Sequence, residues 1–216
     1  MAKRNIDRQT ASLRSFLQTG ELGPINFAMT LLDVAALLGP PEWWITDSDD
    51  VLPLCWGYSG LELSFSKDSP HALRSIKLGT GFDPAGKYSN FAHVLHLSND
   101  GLQDDMKLSE FLNLLPANAE GTRVGVCGAS WNTDMDICTT SIRVIYGLTP
   151  DAEERLEEAV AKGTSPTELM IMKNELSRRI GIYSMIDPIA DRMPAENWRD
   201  FAVDEYLAMV EGRTTT

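Results

Sequence analysis

The sequence is poor in the residues that most often announce a job. It has three cysteines, three histidines and no long apolar run in 216 residues. Cys55, Cys127 and Cys138 form no CxxC pair, and their odd count excludes a complete disulfide framework. Free thiols fit a reducing, cytoplasmic setting. No stretch approaches the length of a membrane-spanning helix. The start, MAKRNIDRQTAS, has basic residues without the apolar core that a secretory signal needs. Basic residues are also scarce: 19 Lys and Arg stand against 31 Asp and Glu, a net charge of −12. A surface of that sign argues against nucleic acid and against an anionic membrane. It favours a basic protein partner, because opposite fields speed encounter. The acid is spread along the chain, with −6 on either side of Pro150.

Motifs for catalysis are incomplete. Gly81 to Lys87 spells GxxxxGK, but Tyr88 stands where a phosphate loop needs a Ser or Thr for magnesium. Pro84 removes one of the amides that would face phosphate. His93 and His96 lack the acid and the spacing of HExxH. Asp134-Met-Asp136-Ile-Cys138-Thr139 is a partial match to the DxDxT of aspartyl phosphotransferases, with Cys138 in place of Thr and a turn-like ASWNT before it. No nucleophile elbow occurs. These readings predict no catalytic residue, no cofactor and no metal. An enzyme of the nucleotide or phosphate class, using the GxxxxGK-like loop with Lys87 and Asp134/Asp136, is the alternative. An oligomeric scaffold is a second alternative.

What is present is 43% hydrophobic residues in periodic patterns, enough for a sizeable core. Leu13, Phe16 and Leu17 predict a helix over 7–19. Leu31, Val34, Leu37 and Leu38 predict another over 31–38, with Thr30 and Asp33 as a capping box. Gly39 then offers a left-handed C-terminal position, and Pro40-Pro41 forbid continuation. LPLCWGY and LELSFS read as a hairpin around Ser59-Gly60, and 72–79 as a third strand. FAHVLHLS (91–98) is read as a strand. Beyond Pro150 the period is helical to the end, with Ser165, Pro166 and Glu168 as a strong helix start. One helix is predicted through Leu169, Met172, Leu176, Ile180 and Tyr183. A last one carries Trp198, Phe201, Ala202, Tyr206 and Met209 inward.

The pattern also restarts. MTLLDVAALL (29–38) aligns with MKLSEFLNLL (106–115), and LELSFS (61–66) with IRVIYG (142–147), with RVGVC (123–127) in the place of LPLCWGY. Two helix-plus-hairpin units, about 29–79 and 106–147, are inferred. The predicted fold is α+β: an antiparallel sheet backed by helices over residues 1–150, and a helical C-terminal region over 151–216.

Leu38-Gly39-Pro40-Pro41, Trp56-Gly57-Tyr58 and Leu61 to Phe65 give the stretch 29–79 a family look. It resembles the outer-membrane assembly lipoprotein BamE and the beta-lactamase inhibitor protein, the latter also built of two tandem units. The chain departs from both in having no lipoprotein signal, no disulfide pair and a helical final third. In character it is similar to bacterial toxin-immunity proteins, which are small, acidic and non-catalytic. The net charge of −12, the loops that carry acid beside tryptophan and the lack of a catalytic motif predict a non-catalytic protein-binding module, of the immunity or inhibitor kind, that neutralises a toxin or enzyme. Its candidate contact residues are Trp43, Trp44, Asp47, Asp49, Asp50, Trp131, Asp134 and Asp136. Tryptophan anchors interfaces and acids at a rim steer a basic partner.

Overall fold

A computed structural model describes residues 9–46, 54–79, 90–91, 95–103, 105–115, 121–127, 135–185, 188 and 198–212. It is α+β, with antiparallel pairing dominant. The chain divides into two compact units: Met1–Gly101 with Tyr183–Ile186, and Leu102–Ile182 with Asp187–Thr216. No helix among the described residues is long and apolar enough to cross a membrane.

The first unit begins with β1 (Gln9–Ser12) and α1 (Leu13–Thr19). The helix is thus shorter than the apolar spacing alone predicts. Ser12 stops it by taking extended geometry and accepting a hydrogen bond from Ser15 N, while Gly20 ends it at φ 76°. Then come α2 (Leu31–Leu38), β2 (Trp43–Ile45), β3 (Cys55–Tyr58), β4 (Leu61–Phe65), β5 (Leu73–Gly79), β6 (Asn90–Phe91) and β7 (Leu95–Ser98). The Thr30–Asp33 capping box forms as predicted. Gly39 has φ 81° and ψ −166°, which is not the left-handed helical basin but a region open in practice to glycine alone.

β7 pairs parallel with β1 and antiparallel with β6. β2, β3, β4 and β5 form an antiparallel run in that order. Period two sorts its faces. Trp56, Tyr58, Leu61, Leu63, Phe65, Ile76 and Leu78 are buried, while Glu62, Ser64 and Lys77 are half-buried. Each buried large side chain contributes about 1.5–3 kcal/mol. Tyr58 Oη donates to the Gly39 carbonyl at 2.9 Å, fixing the end of α2 to β3. Leu31 N to His71 O and Leu73 N to Met29 O fix its start.

The second unit holds α3 (Leu108–Leu114), β8 (Arg123–Cys127), β9 (Met135–Cys138), β10 (Ile142–Gly147), α4 (Pro150–Ala161), α5 (Pro166–Leu176), β11 (Arg178–Met185), β12 (Trp198–Ala202) and α6 (Val203–Glu211). The last three residues of β11 count with the first unit. β8, β9 and β10 run antiparallel, and β12 pairs antiparallel with the other edge of β8. The Ser165 capping box starts α5 as predicted.

The wholly helical C-terminal region is corrected. Arg178–Met185 and Trp198–Ala202 are strands. In β11 the buried residues are Arg179, Gly181, Ile182 and Ser184, so polar and small residues fill inward positions and hide the period of two. In β12 Trp198 and Phe201 lie three apart, which mimics helical spacing, but Ala202 is exposed. Tyr206 is buried as predicted, in α6.

The hairpin partner of β10 is also corrected. It is β9, with Ile137 opposite Val144, and not RVGVC, which forms β8 on the far side of β9. All four residues of β9 are buried.

Candidate functional site

β2 is three residues long and ends its antiparallel run. Its register sets Trp43 opposite Gly57, Trp44 opposite Trp56 and Ile45 opposite Cys55. Directly opposed residues share a sheet face. Trp44 therefore lies on the face of Trp56, the buried one, and Trp43 on the face of Gly57. Neither is a plug. Trp43 is 37% exposed, Trp44 59% and Ile45 58%. Leu32, on α2, is another exposed large apolar residue.

Trp43 is held by an absence. A Cβ placed on Gly57 would lie 1.8 Å from Trp43 Cε2, so the indole occupies the space that any side chain at 57 would fill. An aromatic ring laid over a cross-strand glycine covers backbone that would otherwise be bare. Trp56, by contrast, is buried and packs edge-on to Phe65, with ring centroids 5.2 Å apart. Glu42, just before β2, accepts a hydrogen bond from Ser59 N at 2.9 Å, closing the β3–β4 turn where Ser59 has φ 55°.

On the face of Trp43, strand register continues the row from Gly57 to Glu62 and on to Lys77. Lys77 Nζ lies 3.2 Å from Glu62 Oε2 and 5.5 Å from the centre of the Tyr183 ring. Burial, reinforced by the Glu62 charge, pushes the Cys55 thiol up to about 11. It is thus a protonated thiol at neutral pH and a poor nucleophile. What β2 presents is apolar contact area and a backbone edge that no strand pairs among the described residues.

Of the eight candidate residues, Trp43 and Trp44 come together on this strand. Asp47, Asp49, Asp50, Trp131 and Asp134 lie outside the described residues, as does the Gly81 to Lys87 loop. Asp136 is corrected. It is fully buried in β9, and its Oδ2 accepts from Arg143 Nε at 2.8 Å. The Arg143 guanidinium in turn lies 5.4 Å from the Trp198 ring centre. An acid so placed cannot steer a partner at a rim. Sequence reading missed Ile45, Leu32 and the part played by Gly57. A glycine inside a strand pattern is the usual trace of close approach by another group, and it was legible in CWGY.

Among the described residues no group of three or more His, Cys, Asp or Glu is placed to hold a metal ion. No protein-family model matches the chain, and neither a curated protein nor a solved structure does.

Proposed function

We propose that this chain is a non-catalytic binding protein, of the immunity or inhibitor kind, which neutralises a toxin or enzyme by covering part of its surface. The observation that carries this reading is three consecutive large apolar side chains, Trp43, Trp44 and Ile45, exposed on a terminal strand. Strands at sheet edges are usually kept short or carry charge, proline or a bulge that discourages pairing; β2 is short, but its three residues carry neither charge nor proline. Tryptophan is enriched among residues that dominate binding energy. The net charge of −12, and the acids that follow β2 in sequence, suit a basic partner.

The reading includes two units of one design. Its support is numerical: from β3 to β9 the starts differ by 80 (Cys55 to Met135), from β4 to β10 by 81 (Leu61 to Ile142), and from β2 to β8 by 80 (Trp43 to Arg123). The preceding helices differ by 77 (Leu31 to Leu108). In this alignment β2 corresponds to β8.

The test compares the intact chain with a Trp44→Ser/Ile45→Thr variant in affinity capture and in protection against the captured toxin or enzyme. The wild type should recover a basic partner and suppress its activity. The variant should lose both while keeping the wild-type melting curve. Equal capture and equal suppression by the two proteins would refute the assignment.

A further inference from the structure

In the proposed alignment β2 corresponds to β8, but their outer edges differ. The edge of β8 is taken by β12, antiparallel, with Phe201 opposite Val124 and Arg199 opposite Val126. Val124 is completely buried there. Its counterpart by offset is Trp44, which is 59% exposed on an edge that no strand pairs among the described residues. The second unit thus displays a filled form of the edge that the first leaves open.

We infer that β2 receives its partner by strand addition: an extended, basic segment of the partner protein pairs with β2 and extends its antiparallel run, as β12 extends the run of β8 in the second unit. This inference rests on the binding role proposed for the Trp43–Ile45 strand. Main-chain hydrogen bonds supply affinity in such a mode, and alternate side chains supply specificity. The segment is short, because β12 achieves the same closure with five residues. One set of its alternating side chains is apolar and packs against Trp44. Its charge is positive, because the chain it meets carries a net −12. A second copy of this chain is the less suitable occupant, since each copy carries −12 and like charges oppose the approach.

The probe is a displayed library of random short peptides, selected on the intact wild-type chain with counter-selection on Trp44→Ala. Enriched peptides are then synthesised with N-methyl groups on alternate residues, in each of the two frames. An added strand bonds through one set of alternate amides only. The expected outcome is a family of Lys/Arg-containing peptides with alternating apolar residues, bound about tenfold less tightly by Trp44→Ala. One methylation frame should abolish binding and the other should be tolerated. If the two frames act equally while Trp44→Ala still loses binding, strand addition is wrong and the Trp-edge binding role survives. If no peptide prefers the wild type over Trp44→Ala, both fall.

Discussion

The two antiparallel runs treat the same kind of sequence in opposite ways. In the first, two tryptophans and an isoleucine beside an acidic stretch form β2 and stay at the surface. In the second, an acid in a Trp- and Asp-containing stretch is carried inside: Asp136 is fully buried against Arg143. Aromatic residues near acid therefore do not define a surface. The two strands differ in how they are flanked. β9 lies between β8 and β10 and all four of its residues are buried, whereas among the described residues β2 pairs with β3 alone. An acid in a doubly flanked strand must find a cation, because an isolated buried carboxylate is too costly to keep charged.

The largest effect that can break this contrast is at Asp136. Asp136→Ala leaves the Arg143 guanidinium buried without its carboxylate and should cost about 3–5 kcal/mol in urea unfolding. A loss no greater than that of a typical exposed acid would return Asp136 to the surface and undo the comparison. Next is Gly57→Ala on the open side. The added methyl displaces the Trp43 ring, at about 1–3 kcal/mol if the strand resists. Trp43 should become more solvated, so tryptophan emission should shift to the red. Unchanged emission and stability would mean that Trp43 does not lie over Gly57.

A smaller effect separates a half-buried acid from the fully buried one. Asp100 accepts hydrogen bonds from Ser12 Oγ, Ser98 Oγ and Arg14 N, and the Ser12 bond leads in holding its carboxyl below the usual range. A depressed folded-state pKa gives stability that is present above the unfolded value, about 3.9, and is lost as pH falls through the folded one. Asp100→Asn should therefore be less stable than wild type at neutral pH, with the gap closing below about pH 4. Asparagine tolerates the φ of 51° at this position, so the backbone is kept while the charge and one of the two accepting oxygens are lost. A gap that does not change with pH would contradict the assignment. Smallest in stability is Trp44→Ala, expected within about 0.5 kcal/mol of wild type by chemical unfolding. A large loss would show that Trp44 is a packing residue after all.

Local signals in the sequence carry much of the fold. Thr30, Asp33 and Gly39 mark both ends of α2, and Leu61, Leu63 and Phe65 mark β4, because capping and alternation act within a few residues. Ser165 with Glu168 does the same for α5. β11 escapes because Arg179 and Ser184 sit at buried positions, where period-two reading expects apolar residues. Leu176, Ile180 and Tyr183, meanwhile, satisfy a helical spacing. β9 escapes because burial on both faces leaves no alternation, and Asp136 then reads as a loop acid. Its partner Arg143 is seven residues away across a hairpin, and only the register brings them together. At the candidate site, the Trp pair was visible in sequence as chemistry. Its exposure was not, because exposure depends on whether another strand covers β2.

Amide hydrogen exchange read strand by strand tests the central claim most directly. In the free protein, β8 amides should be protected between β9 and β12, and β2 amides should exchange quickly at the open edge. With a saturating selected basic peptide, β2 should gain protection while β8 stays as it was. Fast exchange at β2 in both states, with the peptide bound, would contradict strand addition at this edge.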